Sequence, residues 1–134
     1  MENKEIQNLR LLAKCWNNLD ASLINGFLAS DFVYESQWVL TPLKGSSNFL
    51  NYLFQKFNAI KTAMLLSQVM SVSAEIGYCT ELSNRPCLLL TQITNESIHQ
   101  VTVLIEIKSD KISRIDVCFI PDPSKTLLTG ETPN

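Results

Sequence analysis

Long apolar runs, blocks of like charge and secretion signals are all missing from this 134-residue sequence. No apolar stretch approaches the ~18 residues that a membrane-spanning helix needs, so we expect no membrane contact. The 11 basic and 13 acidic residues are interspersed, which leaves no charged footprint for nucleic acid. The segment Met-Glu-Asn-Lys-Glu at the N-terminus lacks the basic and apolar regions of a signal peptide.

Histidine is scarce, and the cysteines lack the spacing of a metal site. The only histidine is His99, and none of the four cysteines forms a C-x-x-C pair, so we predict no bound metal. Cys15, Cys79, Cys87 and Cys118 are therefore interpreted as reduced thiols of a cytoplasmic protein. Cys79 and Cys87 could meet across a loop, and theirs is the one disulfide worth testing.

Sequence signatures of common cofactor and nucleophile sites are also absent. The chain contains no G-x-G-x-x-G, G-x-x-x-x-G-K-[ST], G-x-S-x-G or H-E-x-x-H, so nothing indicates a nucleotide, a nucleophilic serine or a cofactor. Its length is that of one ordinary domain. With 46% apolar residues, such a chain can bury roughly two-thirds of its unfolded surface without disulfides.

Helical periodicity dominates the first thirty residues. Ile6, Leu9, Ala13 and Trp16 recur at helical spacing and predict an amphipathic helix of about four turns, ending near Asn18. Asp20 stands where the N-cap of a second, short helix belongs. The buried side of that short helix is predicted to be Leu23, Ile24, Phe27 and Leu28.

Residues 32–40 change to a period of two, which predicts a strand. One face of this strand carries Phe32, Tyr34, Ser36, Trp38 and Leu40, and the other carries Val33, Glu35, Gln37 and Val39. Thr41-Pro42 is predicted to end it, because proline cannot donate to a strand ladder. After Gly45, Ser46 or Ser47 can cap a third helix. Its apolar stripe is Phe49, Leu50, Leu53, Phe57 and Ile60.

The second half of the chain is predicted to be β. Strands are expected over residues 64–76, 87–94, 98–108 and 111–120, with turns at 95–96 and 109–110 and a loop at 84–86. Helices followed by antiparallel strands predict an α+β domain, with a curved antiparallel sheet wrapped around N-terminal helices. The cavity between these layers is the natural ligand site. We expect one domain over residues 1–122 and a flexible tail over residues 123–134.

Several segments in this order resemble the NTF2-like superfamily, and within it the SnoaL-like and ketosteroid-isomerase-like group. They are the corner Trp16-Asn17-Asn18-Leu19-Asp20, the run Leu-Ala-Ser-Asp-Phe-Val-Tyr at 28–34, Lys44-Gly45 before an aromatic helix, and the hairpin at 105–112. The resemblance covers about residues 5–120. It implies a cone-shaped α+β barrel with a deep pocket, often dimeric, whose members include isomerases, cyclases, dehydratases, hydrolases and pure binding modules.

The catalytic residues of that group are replaced by other residue types at the corresponding positions of this sequence. The tyrosine donor, the carboxylate base and the protonated aspartic acid of a ketosteroid isomerase correspond here to Leu12, Ser36 and about Val103. None of these side chains can perform the corresponding proton transfer or donate the required hydrogen bond. Dehydratase-type members use a His–Asp pair, but His99 lies near a turn and is not expected to reach the cavity.

Candidate ligand-binding residues come from the faces predicted to point inward. They are Trp16, Tyr34, Ser36, Trp38, Tyr52, Val103 and Phe119. For Trp16 and the strand face the alternative is ordinary core packing, and for Tyr52 it is an exposed helix edge. Asp116 is a weak catalytic candidate, because Ile115, Val117 and Phe119 should face the helices and leave it outside. A register shift of one residue would bring its carboxyl group inside and raise its pKa.

Three functions fit these features. The leading hypothesis is a protein that binds a small, mainly apolar ligand in an aromatic pocket. The alternatives are a SnoaL-like isomerase, cyclase or lyase with a pocket carboxylate as base, and an interaction module that uses the outer face of the sheet. A homodimer through that face is also expected. Its residues are predicted to be Thr102, Leu104, Glu106, Arg114, Asp116, Cys118 and Ile120.

Overall fold

Two long helices and seven strands build the part of the chain, residues 3–134, that this computed structural model describes, apart from the side chains at positions 39 and 40. The helices are α1 (Lys4–Asn18) and α2 (Ser46–Leu65), with short 3₁₀ helices at Ala21–Ile24, Thr80–Leu82 and Pro123–Lys125. The strands are β1 (Leu28–Ser36), β2 (Val39–Lys44), β3 (Val69–Cys79), β4 (Arg85–Thr94), β5 (Ile98–Lys108), β6 (Lys111–Cys118) and β7 (Thr126–Leu128). The predicted α+β class is confirmed.

The strands form one curved, unclosed sheet in the order β2-β1-β6-β5-β4-β3-β7. Every neighbouring pair is antiparallel except β1 and β6, which run parallel. The register shifts within four of these pairs, for example between Glu106 and Ile107 where β5 pairs with β6. Such irregularities bend a strand and increase its twist, which helps the sheet to curl around the helices.

Both helices pack on the concave face of this sheet. α1 contacts β3, β4 and β5, while α2 contacts β1 and β3. The predicted stripe of α2 is buried at Phe49, Leu53, Phe57 and Ile60. Burying each of these large side chains stabilises the fold by roughly 1.5–3 kcal/mol relative to exposing it. Phe32 of β1 completes the aromatic centre, with its ring 4.8 Å from that of Phe49.

The predicted corner after α1 is confirmed. α1 ends at Asn18, and Leu19 turns the chain with a φ of 50°. The Asp20 carboxylate then caps the 3₁₀ helix by accepting from the Ser22 N–H at 3.0 Å. The Asn17 side chain binds the β3 backbone on both sides, donating to the Ala74 carbonyl at 3.0 Å and accepting from its N–H at 2.8 Å. This pair of bonds fixes the end of α1 against the sheet.

The predicted short helix is a 3₁₀ turn with less buried surface than expected. Of its predicted apolar side, Ile24 is buried but Leu23 and Phe27 are exposed. Leu28 is buried as the first residue of β1. The prediction assumed the α-helical period of 3.6, which a single tight turn does not provide.

The strand predicted over residues 32–40 is in fact two strands. β1 begins four residues earlier, at Leu28, and a turn at Gln37 and Trp38 separates it from β2. Pro42 lies inside β2 rather than ending a strand, because β2 is an edge of the sheet and one side of it needs no N–H donors. The predicted position of the Leu40 side chain lies outside the described residues.

In the β half of the chain, β5 has its predicted bounds, whereas β4 begins at Arg85, inside the loop predicted over residues 84–86. Residues 64–65 belong to α2, and β3 extends to Cys79. Ser109 and Asp110 form the predicted hairpin turn with φ values of 51° and 63°, the left-handed conformation that a type I′ turn requires at both positions.

The segment after residue 122, which the sequence predicted to be a flexible tail, contains a strand. β7 pairs with β3 along the edge of the sheet. Beyond it, the Ile76 N–H donates to the Glu131 carbonyl at 2.9 Å, and the Glu131 carboxylate accepts from Arg10 Nε at 2.6 Å. The polar composition of this segment was misleading, because backbone hydrogen bonds to an open sheet edge require no apolar side chains.

The outer face of the sheet also differs from the prediction. Thr102, Leu104 and Cys118 are only 0%, 6% and 7% exposed in the single chain. The Thr102 hydroxyl donates to the Pro121 carbonyl at 3.3 Å, and Leu104 and Cys118 pack with two further buried cysteines. Two of the three apolar residues expected to require a partner, Leu104 and Cys118, are therefore covered by the protein itself, whereas Ile120 is exposed.

Gly77 of β3 allows β7 to approach closely. A Cβ atom at this position would lie 2.5 Å from the Thr126 methyl carbon and 3.0 Å from the Leu127 carbonyl oxygen. Both distances are shorter than an ordinary van der Waals contact. We expect Gly77→Ala to lower the free energy of unfolding by about 1–3 kcal/mol, since overpacking forces neighbouring groups apart. Urea unfolding of the full chain measures this loss.

Thr126→Ser provides the matched test, because it removes the methyl group and keeps the hydroxyl. In a double-mutant cycle, Gly77→Ala should cost less in the Thr126→Ser background than in the wild type. An equal cost in both backgrounds would contradict a clash with the Thr126 methyl group.

Candidate functional site

A cavity of about 260 Å³ lies between the helices and the concave face of the sheet. It is slightly smaller than the ~300 Å³ at which small-molecule sites usually begin, so any occupant buried in it is small. Its lining comes from α1, α2 and the central strands. The lining residues are Trp16, Tyr34, Ser36, Trp38, Tyr52, Lys56, Val72, Leu90, Thr91, Gln92, His99, Val101 and Val117.

Aromatic rings form one wall of this cavity. The Tyr34 ring lies 5.3 Å from that of Tyr52 and 5.0 Å from that of Phe49, measured between centroids. Trp16 meets Phe57 edge-on at 4.9 Å, so Trp16 both packs in the core and faces the cavity. Burial, and then the nearby Tyr52 hydroxyl, raises the pKa of Tyr34. Its phenol therefore stays neutral and can donate a hydrogen bond, but it is no base at physiological pH.

The mouth of the cavity is more polar than its depth. The Lys56 ammonium lies 5.8 Å from the centroid of the Tyr52 ring, a distance typical of a cation–π contact. His99 Nε2 is 2.9 Å from the Ser97 hydroxyl oxygen. The Ser36 hydroxyl oxygen accepts from the Trp38 N–H at 3.2 Å, which helps to hold the β1–β2 turn in place.

Trp38 and Phe119 form an aromatic ledge beside the mouth. Their ring centroids are 4.8 Å apart, and Trp38 is 69% exposed. The Gln37 side chain fixes the ledge to the end of β6, because its carbonyl oxygen accepts from Phe119 N at 2.8 Å and Ile120 N at 3.0 Å. Gln37 Nε2 also donates to the Ile120 carbonyl at 2.8 Å. The turn at Gln37 and Trp38 is thus held firmly beside the cavity.

The structure brings most of the predicted ligand-binding residues together. Five of them line the cavity, namely Trp16, Tyr34, Ser36, Trp38 and Tyr52. Val103 lies deeper, fully buried in the core below the cavity. Phe119 lies outside the lining and packs against the Trp38 ring.

Asp116 lies on the outer face, as the alternation of β6 predicted. Its carboxylate accepts from Arg114 Nε at 3.0 Å, and the same guanidinium donates to Glu35. In the β5–β6 pair Asp116 stands opposite Leu104, while its neighbour Val117 faces the cavity. The register shift that would have made Asp116 a pocket base does not occur.

Sequence reasoning missed four polar residues of the lining: Lys56, Thr91, Gln92 and His99. The expectation that His99 would not reach the cavity is wrong. His99 shares its strand face with Val101, so the alternation of β5 already pointed it inward. Lys56 follows Tyr52 by four residues, which places both on one side of α2. The misleading feature was the nearby turn, because the cavity opens at that end of the sheet.

Several kinds of site are absent from the described part of the chain. No carboxylate lines the cavity, and no cluster of three histidine, cysteine, aspartate or glutamate side chains is arranged to hold a metal ion. No described helix has both the length and the apolar composition to cross a membrane.

The four cysteines are free and buried. Cys79, Cys87 and Cys118 cluster with Leu104, and the Cys79–Cys87 disulfide considered above is not formed. Burial raises the pKa of Cys15 and of Cys87 to about 12 and that of Cys118 to about 11. Because only a thiolate is strongly nucleophilic, these residues are unsuited to covalent catalysis.

No protein-family model matches the sequence, and no curated protein matches it. Solved structures do match. An LEH-like epoxide hydrolase of M. tuberculosis superposes with a TM-score of 0.56 at 14% identity, covering 85% of this chain and 80% of that one. An uncharacterised cystatin-fold protein of Novosphingobium aromaticivorans superposes with a TM-score of 0.57 at 13% identity, covering 88% of this chain and 98% of that one.

A proposed polyketide cyclase of Xanthomonas campestris gives a TM-score of 0.54 at 12% identity, covering 85% of this chain and 88% of that one. At such low identities the likeness shows the fold alone. It confirms the α+β fold that the resemblance implied, a curved sheet packed against N-terminal helices. The neighbours differ in what they are described as doing, so activity has to be argued from the cavity itself.

Thiol reactivity tests the burial of the cysteines. A raised pKa lowers the thiolate fraction, so we expect Cys15, Cys87 and Cys118 to react with iodoacetamide at least ~100-fold more slowly at pH 8 in the native protein than in urea. Mass spectrometry of digested samples measures each site separately. Native labelling at the rate of a free cysteine peptide would show that these thiols are accessible.

Proposed function

We propose that this protein binds a small, mainly apolar ligand in the aromatic-lined cavity. The observation that carries the proposal is the composition of the lining. Trp16, Tyr34, Leu90 and Val101 surround its depth, and polar groups gather near the mouth. An apolar concave site with a few polar groups is the usual form of a small-molecule site.

Tyr34 supplies the proposed specificity within the apolar part. Its hydroxyl belongs to a buried residue beside Tyr52, and its raised pKa keeps the proton on the oxygen. A carbonyl or hydroxyl oxygen on the ligand would accept from this phenol. A ligand that lacked such an oxygen would lose this hydrogen bond, which is worth about 0.5–1.5 kcal/mol net.

A catalytic role has weaker support. Its support is that two of the structural neighbours are described as an epoxide hydrolase and a proposed polyketide cyclase. The alternative of an isomerase, cyclase or lyase required a carboxylate base in the pocket. Among the described lining residues none is acidic, and the single histidine, His99, is exposed at the mouth. Binding without chemistry is therefore the better-supported function.

Filling the cavity tests the proposal. Val101→Phe places a larger side chain on the cavity wall, so we expect at least ~10-fold weaker binding of the neutral fluorophore N-phenyl-1-naphthylamine. Fluorescence titration measures the affinity. Val72→Phe, which changes a lining residue of β3, repeats the test if the first variant folds poorly.

Val33→Phe is the matched control, because Val33 belongs to β1 but is absent from the cavity lining. It should bind the fluorophore as the wild type does. The proposal fails if Val101→Phe and Val72→Phe both fold and still bind the fluorophore with wild-type affinity.

We also propose a homodimer through the outer face of the sheet, which fewer residues support than the sequence suggested. Leu104 and Cys118 no longer argue for it, because the chain covers them. Ile120 does, since it is 68% exposed. Arg114, with Asp116 and Glu35 beside it, offers charges of both signs that a twofold axis can match. The alternative of an interaction module, which binds a different protein through this face, is supported by no further feature of the described residues.

Light scattering at micromolar concentration measures the assembly. We expect a mass twice that of the 15.1 kDa chain, and we expect Ile120→Glu to reduce it to that of one chain. Leu65→Glu is the control, because Leu65 is 87% exposed at the end of α2 and away from the sheet face. A wild-type mass of one chain would refute the dimer.

A further inference from the structure

The inward faces of three strands become polar at the same end of the sheet. On β5 the inward residues run from Val103 through Val101 to His99, and on β4 they end at Gln92, which pairs with His99. On β1 the inward row ends at Ser36. The cavity is thus apolar in its depth and polar around one rim, which suits a ligand with an apolar body and a polar head.

Lys56 gives this rim a positive charge. Its ammonium lies over the Tyr52 ring, and it takes part in none of the ion pairs found among residues 3–134. By contrast Arg10, Arg85 and Arg114 all contact carboxylates. Lys56 is therefore a cavity cation without an acidic partner in the described chain.

Acidic residues of the described strands are kept out of the cavity. None of them belongs to its lining. They are Asp31, Glu35, Glu75, Glu106 and Asp116. Although the whole chain carries a net charge of −2, the described lining holds one permanent cation and no anion. A cavity lined by charge of one sign attracts ligands of the opposite sign.

We infer that the ligand is a small apolar acid, whose carboxylate or similar anionic head lies at the mouth beside Lys56 and whose apolar body fills the aromatic depth. The inference rests on the proposed binding function and adds the charge class of the ligand. His99 and Gln92 stand on the opposite side of the mouth, on β5 and β4, where their side chains can donate further hydrogen bonds to the head group.

Two fluorophores that differ in one charged group test the inference. N-phenyl-1-naphthylamine is neutral, and 8-anilinonaphthalene-1-sulfonate has the same ring system with an added sulfonate. We expect Lys56→Gln to weaken binding of the sulfonate about fivefold, since a largely exposed ion pair is worth up to about one kcal/mol. Binding of the neutral fluorophore should change by less than about twofold.

Lys61→Gln is the matched control for charge. Lys61 is an exposed residue of the same helix and lies outside the cavity lining, so this variant has the same net charge as Lys56→Gln. It should bind both fluorophores as the wild type does. Raising the salt concentration from about 0.02 M to about 0.5 M should weaken sulfonate binding in the wild type more than in Lys56→Gln.

The outcomes separate this inference from the function on which it rests. If neither fluorophore binds the wild type, the proposed binding function fails and the inference fails with it. If both fluorophores bind the wild type and Lys56→Gln weakens their binding equally, the anionic head group is refuted but the proposed binding function is not. The same conclusion follows if Lys61→Gln weakens sulfonate binding as much as Lys56→Gln does. Selective loss of sulfonate binding in Lys56→Gln alone supports the inference.

Discussion

The double hydrogen bond between the Asn17 side chain and the Ala74 backbone joins the three parts of this protein. Asn17 closes α1, Ala74 lies in β3, and the same amide also donates to the Pro133 carbonyl at 2.6 Å. Helix, sheet and C-terminal segment are thereby held in one geometry. Each such bond contributes only about 1 kcal/mol net, but leaving these partly buried groups unpaired would cost more. The position of Trp16 at the cavity follows from this attachment.

Curvature of the sheet creates the candidate site. The helices cover the concave face at its apolar end, where Phe32 and Phe49 pack tightly, and leave a space where the inward rows end in Ser36, Gln92 and His99. The same alternation that turns apolar side chains inward turns the acidic ones outward. The absence of described carboxylates from the cavity is thus a direct result of strand geometry, while α1 and α2 supply Trp16 and Tyr52 to its aromatic wall.

Fold and function separate clearly in this protein. Structures described as an epoxide hydrolase, an uncharacterised cystatin-fold protein and a proposed polyketide cyclase share its architecture at 12–14% identity. The backbone therefore supplies a cavity and a frame, and the lining determines what can happen there. Here Tyr34 is held neutral by burial and Asp116 is held outside by its register, which favours binding over acid–base chemistry.

Local periodicity in the sequence determined the two long helices, the α+β class and the direction in which residues such as Tyr34 and Asp116 point. This is why Tyr34 was correctly predicted to face inward and Asp116 outward, since each depends only on the parity of its own strand. Tertiary structure alone decided that β7 would pair with the edge of β3, that residues near Pro121 would cover Thr102, and that Lys56 would meet the rim of the cavity. These contacts join residues far apart in the chain, and no local pattern records which open edge or face another segment will cover.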